Sequence, residues 1–153
     1  CSAWATLCAE WNAVYARVES LGQEVALRSA NGEWCLRDTM RHLIFAIEKW
    51  FVGPILGAVT FSACGLPNTG SQGQPWPGLD LQTEPTYDDV RAVLDGLVAR
   101  FTAFVSALEV SELPEQVEVA ENGKVPAVMC FHVVLEEVFE HLRYALRDLE
   151  LVS

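Results

Sequence analysis

Glu137 and His141 stand four residues apart in a stretch with helical periodicity. On an α-helix that spacing lays a carboxylate and an imidazole along one stripe, where both side chains can reach a single ion. With roughly 100° of rotation per residue and Glu137 set at zero, His141 falls at about +40° and Tyr144 at about −20°. Cys130 and Asp148 share the stripe at about +20°. The apolar face of Phe131, Val134, Leu135, Val138, Leu142 and Leu149 centres near about +110°, so the pair lies on its border. Glu136, Glu140, Arg143, Arg147 and Glu150 occupy the solvated side. His42 holds the same border position on a second apolar stripe, formed by Leu36, Met40, Leu43, Ile47 and Trp50. Ala46 beside it leaves space, and Asp38 one turn earlier is placed to accept the second ring N–H and fix the tautomer. Arg37, Arg41 and Glu48 fall on the opposite, solvated side. Two imidazoles and one carboxylate suit a divalent transition metal, Zn²⁺ first, with Ni²⁺ or Fe²⁺ as alternatives. Three protein ligands leave coordination positions open, which implies chemistry rather than scaffolding. One border histidine on each helix and a surface Glu–His pair would produce the same pattern.

Other reactive side chains give weaker signals. His132 falls at about −140°, among the solvated charges, and is expected to be exposed. Cys130 lies two turns before Glu137, about 10 Å along the axis, and reads as a packed thiol. Tyr144, Trp50 and Trp76 are candidate ligand contacts, with Trp34 as a further pocket wall; Tyr144 could equally fill the bundle end, and for each tryptophan core packing is the favoured reading. Gly65, Gly70 and Gly73 do not join a strand to a helix and form no phosphate loop. No serine nucleophile triad is recognisable.

Four helical elements must position these groups. Trp4, Leu7, Cys8, Trp11, Val14, Tyr15, Val18, Leu21 and Val25 mark a first helix of roughly six turns, closed by Asn31-Gly32. A second runs from about Cys35 to Phe51 and ends or kinks at Gly53-Pro54. From about Phe61 to Glu84 the chain is rich in Gly, Pro, Ser and Asn; Trp76 and Leu79 within it predict an ordered, packed loop. Thr86 with Asp89 outlines a capping box for a third helix carrying Val90 to Leu108. Val117 and Val119 before Asn122-Gly123 predict a short hairpin. Pro126 suits the first turn of a fourth helix reaching about Leu149. The expected fold is an all-α, single-domain four-helix bundle over residues 1–153, with a long crossover between helices 2 and 3 and a short hairpin between helices 3 and 4.

Composition narrows the partners. In 153 residues, Lys and Arg total 10 against 21 Asp and Glu, a formal charge of −11. An acidic surface repels phosphate backbones and anionic lipids, so neither nucleic acid nor a membrane is an expected partner. No apolar run approaches the roughly 20 residues of a membrane span. The five cysteines are irregularly spaced with no CxxC pair, which fits reduced thiols and a cytoplasmic protein. Cys1 reads as a trimmed or processed start rather than a lipid anchor. A monomer or homodimer acting on a small molecule is expected.

The segments Trp34 to Phe51, Gly65-Leu-Pro-Asn-Thr-Gly70 and Val138 to Leu149 resemble the DinB-like (DinB/YfiT) proteins along nearly the whole chain. That resemblance implies a four-helix bundle binding a divalent metal through one His on helix 2 and two ligands four residues apart on helix 4: here His42, Glu137 and His141. Many members carry His at the middle position. Glu137 makes this chain similar to the mycothiol-dependent maleylpyruvate isomerase branch, whose set is also two His and one Glu. The isomerase has a further C-terminal domain contributing to its active site, whereas this sequence ends at Ser153. What the resemblance implies is therefore the broader theme of a low-molecular-weight (mycothiol-like) thiol S-transferase acting on a small electrophile through a metal-activated thiolate. A hydrolase using metal-bound water and a non-enzymatic ligand- or metal-binding bundle are the alternatives.

Overall fold

The computed structural model describes residues 2–153, so the reading of Cys1 lies outside the described residues. Four helices, α1 (Ser2–Leu21), α2 (Leu36–Ile47), α3 (Tyr87–Ala107) and α4 (Ala127–Val152), surround one apolar core, and a two-stranded ribbon precedes α4. This is the all-α four-helix bundle its periodicity predicts.

The first helix is shorter than its apolar repeat. It stops at Leu21 because Gly22 turns the chain at φ 94°, and Val25 and Ala26 are buried from a following 3₁₀ segment, Gln23–Leu27. Apolar spacing alone cannot distinguish the two, since a 3₁₀ turn buries side chains at nearly the same interval. Indole N–H groups tie α1 to its neighbours: Trp4 donates to the Thr102 hydroxyl (2.7 Å) and Trp11 to the Val138 carbonyl (3.1 Å).

α2 is the central element and is buried nearly all round, including Thr39, Arg41 and His42. After Ile47 it widens into a π-helical turn, Glu48–Val52, closed by Gly53 N–H to the Glu48 carbonyl at 2.8 Å. Such widened turns change which side chains face a site. Here Lys49 and Trp50 face a chamber beside His42.

The long connection is ordered by packing, as Trp76 predicts. Its indole meets Phe45 at 4.8 Å and Phe61 at 5.2 Å between ring centroids, both near-perpendicular. Phe61 N–H bonds the Pro77 carbonyl at 2.7 Å. Gly78 sits at φ 90°, where a Cβ would lie 2.5 Å from the Phe61 carbonyl oxygen, so only glycine fits.

Because this loop lies over α2, two charges expected in solvent are covered. Arg41 is buried, with its Nε donating to the Cys64 carbonyl at 2.9 Å and its Nη1 to Asp38 at 3.3 Å. Glu48 is buried as well; its carboxylate accepts the Ser62 N–H at 2.9 and 3.1 Å and the Ser62 hydroxyl at 2.5 Å. Burial pushes the Glu48 carboxyl above its ordinary value, although the Ser62 bonds and the charge of Arg100 oppose it. A carboxyl with a raised folded-state pKa makes the fold less stable as pH climbs through that value. Glu48→Gln keeps one acceptor for the Ser62 N–H and offers an amide N–H to its hydroxyl, without the buried charge. Its melting temperature relative to wild type is therefore expected to be higher at pH 7 than at pH 4.5; a difference independent of pH would refute this.

The Thr86–Asp89 capping box opens α3 as expected, with the Asp89 N–H on the Thr86 hydroxyl at 3.1 Å and the Thr86 N–H on the Asp89 carboxylate at 3.1 Å. The hairpin also forms, from β1 (Gln116–Glu118) and β2 (Lys124–Pro126), with Val117 opposite Val125. Its turn is longer than a two-residue Asn-Gly loop. Gly123 has φ 68° and the other positive-φ residue is Ala120 (φ 41°), not Asn122, so the paired positive angles of a type I′ turn are absent here. Pro126 ends β2 and precedes α4 rather than entering its first turn. Val119, Val125 and Cys130 pack beneath this ribbon, which makes Cys130 a core thiol.

Candidate metal centre

His42 from mid-α2 and Glu137 and His141 from α4 converge as the two helices pack together. One potential ligand atom from each residue lies within 4.8 Å of the others. His42 Nε2 is 3.3 Å from Glu137 Oε2, and His42 is only 8% exposed. The two imidazole rings are 4.8 Å apart between centroids.

Hydrogen bonds behind the rings determine what they present in front. His42 Nδ1 lies 2.9 Å from the Leu66 carbonyl oxygen, an acceptor only, so Nδ1 donates there and Nε2 faces Glu137 Oε2, with a proton on it when the ring is charged and a free lone pair when the ring is neutral. Asp38 was the expected partner; it is instead engaged by Arg37 and Arg41. His141 Nδ1 lies 2.7 Å from the Glu137 main-chain carbonyl, which likewise frees its Nε2 when the ring is neutral. Two ligands of one tetrahedral ion, each about 2.1 Å from it, stand about 3.4 Å apart. The His42–Glu137 separation of 3.3 Å matches that distance. Donor type and the His42–Glu137 spacing fit a transition-metal ion, while His141 comes within 3.4 Å of Glu137 Oε2 through Nδ1, and the three residues together could hold one ion.

Charge acts in the same direction. Burial pushes the Glu137 carboxyl up, but the His42 hydrogen bond and the charges of both histidines outweigh it and hold the group below its ordinary value. Burial holds the His141 imidazole down, reinforced by the charge of His42 and opposed by its bond to the Glu137 carbonyl. Both shifts favour the deprotonated, ligating forms.

The cluster opens onto a chamber of about 490 Å³. Phe45, Trp50 and Tyr144 supply apolar wall, while Lys49, Asn68 and Asn122 supply polar groups. Lys49 Nζ bridges the mouth to Glu121 at 2.7 Å, joining the widened turn of α2 to the hairpin. Of the tryptophans singled out, Trp50 lines this chamber and Trp34 packs on the His42 ring at 5.4 Å. Trp76 does not line it; its indole supports Phe45, which does. Tyr144 stands edge-on to His141 at 5.5 Å. His132 is exposed, and Cys130 lies outside the cluster. Among the described residues, Cys8, Cys35, Cys64 and Cys130 are unpaired.

Sequence reasoning missed Leu66 and Lys49. The first acts through a main-chain carbonyl, which has no residue signature. The second is brought to the chamber by a π-turn whose only trace is Gly53-Pro54.

A family model described as the DinB superfamily matches residues 6–145. The chain belongs to the DinB superfamily. No curated protein and no solved structure gives a significant match. Within the DinB superfamily assignment, the likeness quoted at Trp34 to Phe51 and Val138 to Leu149 falls largely inside the matched span. Those two segments carry His42 and His141, and Glu137 immediately precedes the second. No helix among the described residues is long and apolar enough to cross a membrane.

Proposed function

We propose that this DinB-superfamily chain is a metal-dependent enzyme that joins a low-molecular-weight thiol, of the mycothiol type, to a small electrophile. The observation that carries the reading is a three-donor His/Glu/His cluster at the base of an open chamber of about 490 Å³. Zn²⁺ fits this donor set, with Ni²⁺ or Fe²⁺ next. Bound there, the metal would supply one thing: a coordinated thiol is deprotonated, and the thiolate is the reactive form.

The chain's own residues do the rest. His42 and His141 present Nε2 with tautomers fixed by main-chain carbonyls, and Glu137 adds one negative charge. Phe45, Trp50 and Tyr144 exclude water from the space an electrophile would occupy, while Lys49, Asn68 and Asn122 offer it hydrogen bonds. The thiol proton would pass to solvent when the thiolate forms; as the S–C bond forms, the π bond of an unsaturated electrophile would break and its far carbon would take a proton back from solvent, through the open side of the chamber. The ligand set of two imidazoles and one carboxylate supports comparison with the mycothiol-dependent branch.

Thermal denaturation with a cysteinyl sugar thiol tests the reading. The thiol is expected to raise the melting temperature of metal-loaded protein and to have no effect after chelation. A thiol-independent, metal-dependent hydrolysis of esters or amides would overturn thiol transfer and keep the metal. Ligand binding untouched by chelation would overturn both.

A further inference from the structure

On the far side of His141 and Tyr144 lies a second chamber, of about 370 Å³. Glu33, Trp34, Thr39, Arg147 and Asp148 complete its wall. Nothing in the metal chemistry uses these residues.

Asp148 is the decisive feature. It is only 4% exposed, yet it is a carboxylate. Its Oδ1 accepts both Arg147 Nε at 2.8 Å and Arg147 Nη2 at 2.7 Å. Its Oδ2 takes no hydrogen bond among the described residues, and the residue faces the chamber. Thr39, 3% exposed and on the same wall, likewise has no hydrogen bond to its hydroxyl among the described residues. Neither oxygen is sealed from solvent, since the buried side-chain atoms without a partner among the described residues are Arg41 Nη2 and the Tyr87 hydroxyl; Asp148 and Thr39 instead line the chamber, where a partly enclosed carboxylate attracts a cationic donor more strongly than one in open water does.

The charge of the wall selects the kind of donor. Arg147 is already engaged by both Glu33 and Asp148. Two carboxylates against one guanidinium leave this wall net negative, which disfavours an anion. Trp34 and Tyr144 add aromatic surface, which attracts cations.

We propose that this second chamber binds the ammonium group of a small primary amine, with Asp148 Oδ2 as its charged partner and the Thr39 hydroxyl as a second acceptor. Asp148 lies two helical turns beyond His141, about 10 Å along α4. An extended molecule anchored there by its amine reaches the metal centre at its other end. The assignment stands on the chamber alone and not on the proposed thiol chemistry.

The test uses chelator-treated full chain, so a failure of the metal reading cannot mask it. Phenethylamine is titrated against the indole N–H signals in NMR spectra, with the Trp34 signal assigned through Trp34→Phe. The neutral 2-phenylethanol and the anionic 3-phenylpropionate are matched controls. The amine is expected to shift the Trp34 signal saturably, and the anion is expected not to. Asp148→Asn, nearly isosteric, is expected to weaken the amine by about tenfold or more through loss of a charge-assisted bond. Thr39→Val, expected to weaken it by a smaller factor, serves if Asp148→Asn fails to fold. An anion that binds as tightly as the amine, no saturable shift at tens of millimolar amine, or unchanged amine affinity in a folded variant would each overturn the assignment.

Discussion

His42→Ala and His141→Ala are each expected to abolish the binding of one divalent transition metal per chain. The donors act together: one ring nitrogen from each histidine and a Glu137 carboxylate oxygen lie within 4.8 Å of one another. Losing a group that only hydrogen-bonds a metal ligand lowers affinity by about 10–100-fold, so losing the ligand itself is expected to exceed about 100-fold. Glu137→Gln keeps the size and one neutral oxygen but removes the charge, and is expected to fall between the histidine variants and wild type. His132→Ala, which removes an exposed imidazole from the same helix, is the control and is expected to retain full metal content. Elemental analysis of protein purified without a metal-affinity tag, with chelator competition, reads all four. Equal metal in wild type, His42→Ala and His141→Ala would remove the centre altogether.

Acidification provides an independent check on the same donors. Metal binding requires an unprotonated imidazole and a carboxylate, so affinity falls as pH drops through each group's pKa. His141 is held below the ordinary value of 6.5 by burial, and Glu137 is held below 4.5 by its histidine neighbours. The losses belonging to these two groups are therefore expected on the acid side of those ordinary values.

How much of this was legible beforehand depended on whether helix periodicity carried the information. The border positions of His42, Glu137 and His141 follow from rotation about two helix axes, and helix packing brings those borders together. Trp76 could be read as a packing anchor because a large indole in a polar loop must cover something. The failures at Arg41, Glu48 and Asp38 have one common cause. Arg41 and Glu48 occupy the polar side of α2, and the wheel places that side in water. A loop 14 to 24 residues away covers it instead, and supplies Leu66 and Cys64 carbonyls and the Ser62 N–H as partners. A wheel contains no information about a non-local covering element. Asp38 was for the same reason assigned to His42 when the arginines beside it, one of them buried, claim it. The π-turn left no trace but the Gly53-Pro54 break that follows it, because its residues continue the helical spacing and only hydrogen-bond register distinguishes them.

That misread polar side carries the second large effect. Arg41 is buried beneath the loop, with Asp38 as its only carboxylate partner and its Nη2 without a hydrogen bond among the described residues. Asp38→Ala leaves a buried guanidinium uncompensated, and breaking a buried pair from one side costs about 3–5 kcal/mol. The Asp38 side chain retains 22% exposure, which weakens the pair and points to the lower end, about 3 kcal/mol. That is a large share of the roughly 5–15 kcal/mol that keeps a domain folded. Arg41→Met behaves differently because it removes the charge together with its partner's obligation, so its stability cost is expected to be well under half as large. Its effect on the metal centre is nevertheless substantial. Without the Arg41–Cys64 bond, the stretch that carries the Leu66 carbonyl keeps the Leu66 N–H on the Arg41 main-chain carbonyl at 3.1 Å and the Ser62–Glu48 bonds, but loses the side-chain tie nearest Leu66. His42 then loses a rigid acceptor for Nδ1, and metal affinity is expected to fall about 10-fold. Urea unfolding and chelator competition on both variants separate the two effects. Equal stability losses in Asp38→Ala and Arg41→Met would show that the stranded charge is not what makes the first change costly. Unchanged metal affinity in Arg41→Met would show that the loop holds the Leu66 carbonyl in place without it.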